Sequence, residues 1–285
     1  MSPEGIAYAG ISDEAGPGLD EQLAAIAELG WSRIELRSVD GVAIADLDDR
    51  AFDTLAGRVG DAGLTVPCLD SRIANWGRPI TGRFDEDLDE LTVLIDRCAR
   101  LGTPNIRIMS YPNAGLDEPE WGRRAIERIK VLAERAAGAG LVLLHENCAG
   151  WARHRAARMR RLVEEVDSPA LRLLFDTGNG VAYGYDAYDL LSEVIDLVDY
   201  VHVKDARGGE EPVYTLPGAG DCRVAECLSL LLSAGFTGTW SIEPHLQTRP
   251  HEGVGAGPDG VARFVEYGRR LEHLVEELAT VRGGP

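Results

Sequence analysis

The sequence is short of several things, and each shortage removes a class of function. It has no C-x-x-C pair, and its five cysteines, Cys68, Cys98, Cys148, Cys222 and Cys227, are odd in number and scattered. That pattern points to reduced thiols in a cytosolic protein rather than a disulfide framework. Basic residues are scarce: 29 Lys plus Arg stand against 47 Asp plus Glu, a formal charge of −18. Such a surface repels polyphosphates and anionic membranes, so neither nucleic acid nor a membrane is expected as a partner. No apolar run nears the ~18 residues of a membrane span. The opening MSPEGIAYAG lacks a basic segment followed by an apolar one, so a cytoplasmic protein is expected. No low-complexity linker or charge run marks a boundary, and residues 1–285 are expected to form one domain. Finally, no histidine occurs before position 145. Any chemistry that needs an imidazole is built from the second half of the chain.

What is present is a regular alternation. Short β-like runs occur at 5–12, 32–37, 64–70, 105–111, 141–147, 171–176, 199–205 and 239–245, one per about 36 residues, the size of a βα unit. Between them apolar residues recur at helical spacing. Leu88, Leu91, Leu94, Ile95 and Cys98 share a face, as do Ile126, Ile129, Leu132, Ala133 and Ala136. Val224, Cys227, Leu228, Leu231 and Leu232 repeat the pattern, and Phe264, Val265, Leu271, Leu274, Val275 and Leu278 close the chain. Gly30, Gly63, Gly102, Gly140 and Gly235 each stand just before a strand, where a left-handed helix cap is needed. Eight β/α alternations without a long linker predict an α/β fold, a single (β/α)8 TIM barrel. Pro67 sits inside the third run and blurs its limits, since proline cannot donate to a ladder.

A (β/α)8 barrel carries its active site at the C-terminal ends of its strands. There the sequence places Glu35 and Arg37, Asp70 and Arg72, Glu146, Asp176, His202 with Lys204 and Asp205, and Glu243 with His245. Each alone reads as a cap or salt-bridge member. Together, Glu146, Asp176, His202 and Glu243 fall on four consecutive strands and form an all-N/O ligand set. That set suits a divalent metal such as Mn2+, Mg2+, Co2+ or Zn2+, not an iron–sulfur cluster or a structural zinc. Glu146 and Glu243, on the strands flanking the other two, are the candidate acid and base. Lys204, Arg207, His145 and His245 stand beside the ligands and are expected to bind substrate oxygens or to orient the ligands. Arg37, Arg72 and Asn75 are candidate substrate contacts from the first half. Trp76, Trp151 and Tyr183 are candidate aromatic walls at the mouth. The loop Gly218-Ala219-Gly220-Asp221 reads as a tight turn against the substrate or as a loop whose Asp221 caps the next helix.

Seven segments carry a family resemblance over nearly the whole chain: GISDEAGPGLDEQL, IELRSVDG, LLHEN, FDTGN, YVHVKD, PGAGD and SIEPHL. Together they resemble the xylose isomerase-like TIM barrels, the sugar phosphate isomerases and epimerases. The resemblance implies a (β/α)8 barrel and a metal, often Mn2+, held by Glu146, Asp176, His202 and Glu243. It also implies a small polyhydroxylated substrate and a homo-oligomer, dimers and tetramers being common in such families. The implied activity is isomerisation or epimerisation of a sugar, keto-sugar or inositol derivative. A lyase on the same platform, a keto-inositol dehydratase or a 3-keto-glycoside eliminase similar to C-deglycosidases, and a non-catalytic partner subunit are the alternatives. Two departures narrow this. Ketose 3-epimerases usually carry a histidine where this chain has Asn179, which becomes a substrate-binding candidate instead. ENCAG at 146–150 resembles the ENTAG of an apurinic endonuclease branch, but that branch needs further histidines, two of them from the first half of the barrel.

Overall fold

The computed structural model describes residues 6–246, 249, 253, 257 and 259–282; His251, one of the six histidines, lies outside them. The element order is β1 (Ala7–Gly10), α1 (Leu19–Leu29), β2 (Ser38–Val39), β3 (Val42–Ala43), α2 (Asp49–Asp61), β4 (Cys68–Asp70), α3 (Asp85–Leu101), β5 (Asn105–Ser110), α4 (Glu118–Gly138) and β6 (Val142–Gly150). It continues with α5 (Ala156–Val166), β7 (Leu171–Asp176), α6 (Asn179–Tyr183), α7 (Ala187–Val194), β8 (Val198–Val203), β9 (Asp205–Arg207), β10 (Val213–Thr215), α8 (Val224–Ser233), β11 (Thr239–Ile242) and α9 (Gly260–Arg282). Among the described residues no helix is long and apolar enough to cross a membrane.

Seven parallel strands pair in the order β1-β11-β8-β7-β6-β5-β4. The remaining gap, between β1 and β4, is spanned by the run at 32–37. It is held by single parallel bridges, Ile11 to Glu35, Arg33 to Thr65 and Leu36 to Leu69, rather than by a continuous ladder. With that segment counted, eight strand positions close a TIM barrel. Several strands are shorter than their apolar runs suggest, among them the third and the last. The third begins at Cys68, directly after Pro67, as the missing N–H requires. The last ends at Ile242, which leaves Glu243 just beyond the ladder.

All five glycines expected to end helices have positive φ, from 68° at Gly30 to 75° at Gly235. At the other end, α2 and α4 are capped by Asp48 and Asp117, which accept from the backbone of Ala51 and Glu120. Short caps at both ends keep each βα unit compact and the strand ends in register.

The core has two layers, and strand alternation decides which residue enters which. Leu143, Leu173 and Val201 join the large cluster between sheet and helices. Their neighbours Leu144, Leu174 and Tyr200, with Cys68, form a small core inside the barrel. Two hairpin-like pairs, β2–β3 and β9–β10, lie outside the barrel sheet and follow strand ends, where such loops build a mouth.

Candidate metal and active site

The site continues the interior series of the strands. Two residues beyond Leu144, Leu174 and Tyr200 come Glu146, Asp176 and His202, and two beyond the buried Ser241 comes Glu243. Asp176 pairs with His202 across β7 and β8, and Ser241 pairs with His202 across β11 and β8. All four polar residues are at most 5% exposed. One donor atom from each lies within 4.8 Å of the others.

Neighbouring groups fix which atom each presents. Asp176 Oδ1 accepts from the backbone N–H groups of Gly178 and Asn179, both at 2.7 Å, and its Oδ2 lies 2.8 Å from Lys204 Nζ. Glu243 Oε2 accepts from the same Lys204 Nζ at 2.7 Å, while its Oε1 lies 3.2 Å from both Arg37 Nη1 and His245 Nε2. Asn179 Nδ2 donates to Glu146 Oε1 at 3.0 Å, and Arg107 Nη1 donates to Glu146 Oε2 at 2.8 Å. His202 Nε2 is 3.0 Å from Glu35 Oε1, which leaves Nδ1 without a hydrogen-bond partner, 3.9 Å from Glu243 Oε2.

The electrostatics are lopsided. Seven buried carboxylates, Asp13, Glu14, Glu35, Asp70, Glu146, Asp176 and Glu243, surround Arg37, Arg107, Lys204 and the two raised imidazoles His202 and His245. Burial pushes Asp70 and Asp176 up to about 7, against the pull of Arg107 on one and Lys204 on the other. Glu243 goes the other way: burial would raise it, but Lys204 and His245 hold it well below the usual carboxylate range. His202 is raised to about 10, burial being outweighed by Glu35. A dry site with this surplus of anions favours an added cation. A divalent ion fits the donor set: three carboxylates, one imidazole nitrogen with no partner, and no thiolate. Glu146, Asp176, His202 and Glu243 would hold it. The ammonium of Lys204 already stands against two of these ligands.

The sequence profile described as xylose isomerase-like TIM barrel matches residues 23–264. The chain belongs to this family. A 2-epi-5-epi-valiolone 7-phosphate 2-epimerase from Actinoplanes sp. is 34% identical over 142 residues, half of each chain. An inosose dehydratase from Salmonella typhimurium is 26% identical over 201 residues, 65% of this chain and 60% of that one. The matches thus span only about half to three-fifths of these curated relatives. Among solved structures, the IOLI protein with a bound zinc atom superposes with a TM-score of 0.75 at 16% identity, covering 98% of this chain and 99% of that one. At that identity the likeness concerns the fold.

Arg37, Asn179, Lys204 and His245 line one cavity of about 280 Å3 with Glu146 and Glu243. His145 and Arg207 do not. His145 shares its strand face with Leu143, pairs with Ile108 and Leu173, and is fully buried in the outer layer. Adjacency to Glu146 turns a side chain away from it, because successive strand residues point to opposite faces. Arg207 is exposed on β9 and donates to the carbonyl of Ala219. Trp151 is 1% exposed and donates to Glu118, so it belongs to the core and not the mouth. Asp221 does not cap α8, whose first flanking residue is Arg223; it accepts instead from the backbone of Gly208. The glycine loop is held by Asp205, which accepts from the backbone of Gly218, Gly220 and Cys222. A Cβ on Gly220 would fall 2.3 Å from Asp205 Oδ1, so this position requires glycine.

Sequence reading missed three groups that build the site. Arg107 bridges Glu146 and Asp70; its signal was a lone cation between Ile106 and Ile108 in an otherwise apolar strand. Asp13 and Glu14 clamp Arg37, and Glu14 also accepts from the backbone of His245. Tyr214 lines the cavity from β10 and meets His245 edge-on at 4.7 Å.

Proposed function

We propose that the protein is a divalent-metal-dependent isomerase or epimerase of a small polyhydroxylated carbonyl compound, a sugar, keto-sugar or inositol derivative. The observation that carries this reading is the convergence of Glu146, Asp176, His202 and Glu243 within 4.8 Å, with Glu146 and Glu243 on the wall of a cavity. A bound Mn2+, or Mg2+, Co2+ or Zn2+ in its place, would supply Lewis-acid polarisation of two adjacent substrate oxygens. The chain's own groups do the rest. Glu243, held ionised by Lys204 and His245, accepts the proton from the carbon beside the carbonyl. Glu146, oriented by Arg107 and Asn179 from the opposite side of the ligand set, returns a proton to the other face or to the neighbouring carbon. Return to the same carbon epimerises, and return to the neighbour isomerises. Arg37 and Lys204 line the same cavity and hold the carboxylates that face the substrate, Glu243 among them.

The relatives named inosose dehydratase favour a second reading, a lyase that follows the same proton abstraction by expelling a β-hydroxyl group. Incubating ketohexoses and a keto-inositol with the Mn2+-loaded protein in D2O, followed by NMR, tests both. Deuterium entering at carbon beside the carbonyl without loss of water supports the first reading. Exchange coupled to an unsaturated product supports the second, and no exchange in any substrate with stoichiometric metal bound defeats both.

A further inference from the structure

A second cavity of about 440 Å3 adjoins the first and shares Arg37, Trp76 and Arg107 with it. Its other walls come from β2–β3 and the segment after β4: Gly41, Val42 and Ala43 on one side, Ser71, Arg72 and Asn75 on the other. Glu146 and Glu243 line only the inner chamber; the outer one holds neither. Resting on the functional reading above, we propose that the substrate is a polyol ring carrying a second, uncharged ring, which lies in the outer cavity against Trp76 and Val42.

Three independent observations support this. First, the platform is apolar and exposed. Only five large apolar side chains among the described residues are exposed, and two of them, Trp76 at 47% and Val42 at 39%, line this cavity. Aromatic faces of this kind hold sugar and aryl rings by stacking. Second, the platform is preformed. Ala74 takes a left-handed φ of 59° and its carbonyl accepts from Tyr111, itself at φ 60°. The nearly buried acids Asp87 and Glu90 of α3 grip the segment on both sides of Trp76: Asp87 accepts from the Ala74 backbone and Arg78, and Glu90 from the Arg72 backbone and Arg78. One left-handed non-glycine residue, Ala74, and two buried acids hold this loop, and the buried Tyr111 after β5 braces it, which marks a position that matters for binding. Third, the cavity has no spare positive charge. Arg37 is bound to Asp13 and Glu14, Arg72 is bidentate to Asp46 at 2.7 Å for both bonds, and Arg107 is bound to Asp70 and Glu146. With Asp13, Asp46 and Asp70 also in the wall, a phosphate there would meet committed guanidiniums and three carboxylates.

Calorimetric binding to the Mn2+-loaded protein separates this from the chemistry, because the probes need not react. Phenyl β-glucoside is expected to bind about tenfold tighter than glucose, from stacking plus buried apolar area. Trp76→Ala should erase that ratio, and so should Val42→Asp, which adds an anion to the outer chamber alone. Both positions are exposed enough for the variants to fold. Glucose 6-phosphate should bind no better than glucose. Equal affinity for glucose and the phenyl glucoside, or preference for the phosphate, would overturn the proposal even if deuterium exchange succeeds. The tenfold preference without any exchange would uphold the second-ring site and defeat the functional reading instead.

Discussion

Glu35 Oε1 lies 3.0 Å from Nε2 of His202, and the two side chains are fully buried inside the barrel. Glu35 Oε2 also accepts from the hydroxyl of Tyr200 at 2.8 Å, so its position is fixed from two sides. The consequence is a tautomer: when an ion displaces the Nδ1 proton, the proton that Glu35 holds on Nε2 stays, and the Nδ1 lone pair is directed to the other three ligands. Glu35→Ala should weaken Mn2+ binding by about 10- to 100-fold, the usual effect of losing a group that orients a ligand. Glu35→Gln, which keeps an acceptor, should lose less. Isothermal titration with Mn2+ checks this, and equal affinity in all three proteins would show that Glu35 does not orient His202.

The division of labour between the two glutamates predicts a matched pair of losses. Glu146→Gln and Glu243→Gln should each lower turnover by about 10²- to 10⁴-fold, the range for a removed general acid or base, with the circular dichroism spectrum unchanged. They should differ in partial reactions. If Glu243 removes the proton, Glu243→Gln abolishes deuterium exchange at the substrate carbon. Glu146→Gln should retain exchange while failing to form product. Retention of exchange in Glu243→Gln and its loss in Glu146→Gln would reverse the assignment.

The fold and the four ligand candidates could be read from the chain because both are local in period. An apolar residue at Leu144, Leu174 or Tyr200 fixes the face, and the polar residue two places on shares it. The same rule, applied one residue earlier, would have turned His145 outward; proximity along the chain was mistaken for proximity in space. The network around the ligands had no local signal. Glu14 accepts from the backbone of His245 across 231 positions, and Arg37 reaches Glu243 across 206. Such pairs exist only once the barrel has closed. The segment at 32–37 shows the converse: its apolar residues predicted a full strand, but it contributes bridges and side chains more than a ladder.

Lys204 supplies the next prediction. Its ammonium is 3% exposed, lies within 2.8 Å of Asp176 Oδ2 and Glu243 Oε2, and is held protonated by those carboxylates against the cost of burial. A divalent ion must therefore share these oxygens with Lys204 or displace it. Lys204→Met should destabilise the metal-free protein, by about 3–5 kcal/mol if the two carboxylates stay ionised. Protonation of Asp176, already raised to about 7, would reduce that loss below neutral pH. Mn2+ should then raise the melting temperature of the variant more than that of the wild type, since the competing ammonium is gone. Equal increments in differential scanning calorimetry would show that Lys204 and the metal do not compete.

His145 makes the last test independent of any ligand. It is fully buried among Ile108 and Leu173, and neither ring nitrogen has a hydrogen-bond partner among the described residues. Burial lowers its pKa from 6.5 to about 4, with Glu146 opposing weakly. The unfolded chain therefore binds a proton at this residue below about 6.5 that the folded chain accepts only below about 4. Between those values each fall in pH favours the unfolded state, so the contribution is a loss of stability on acidification that approaches about 3 kcal/mol. His145→Leu, apolar and of similar size, should remove this loss. Urea denaturation of both proteins at pH 7.5, 5.5 and 4.5 reads it as a widening gap in favour of the variant. A gap that stays constant with pH would mean that His145 is protonated in the folded protein.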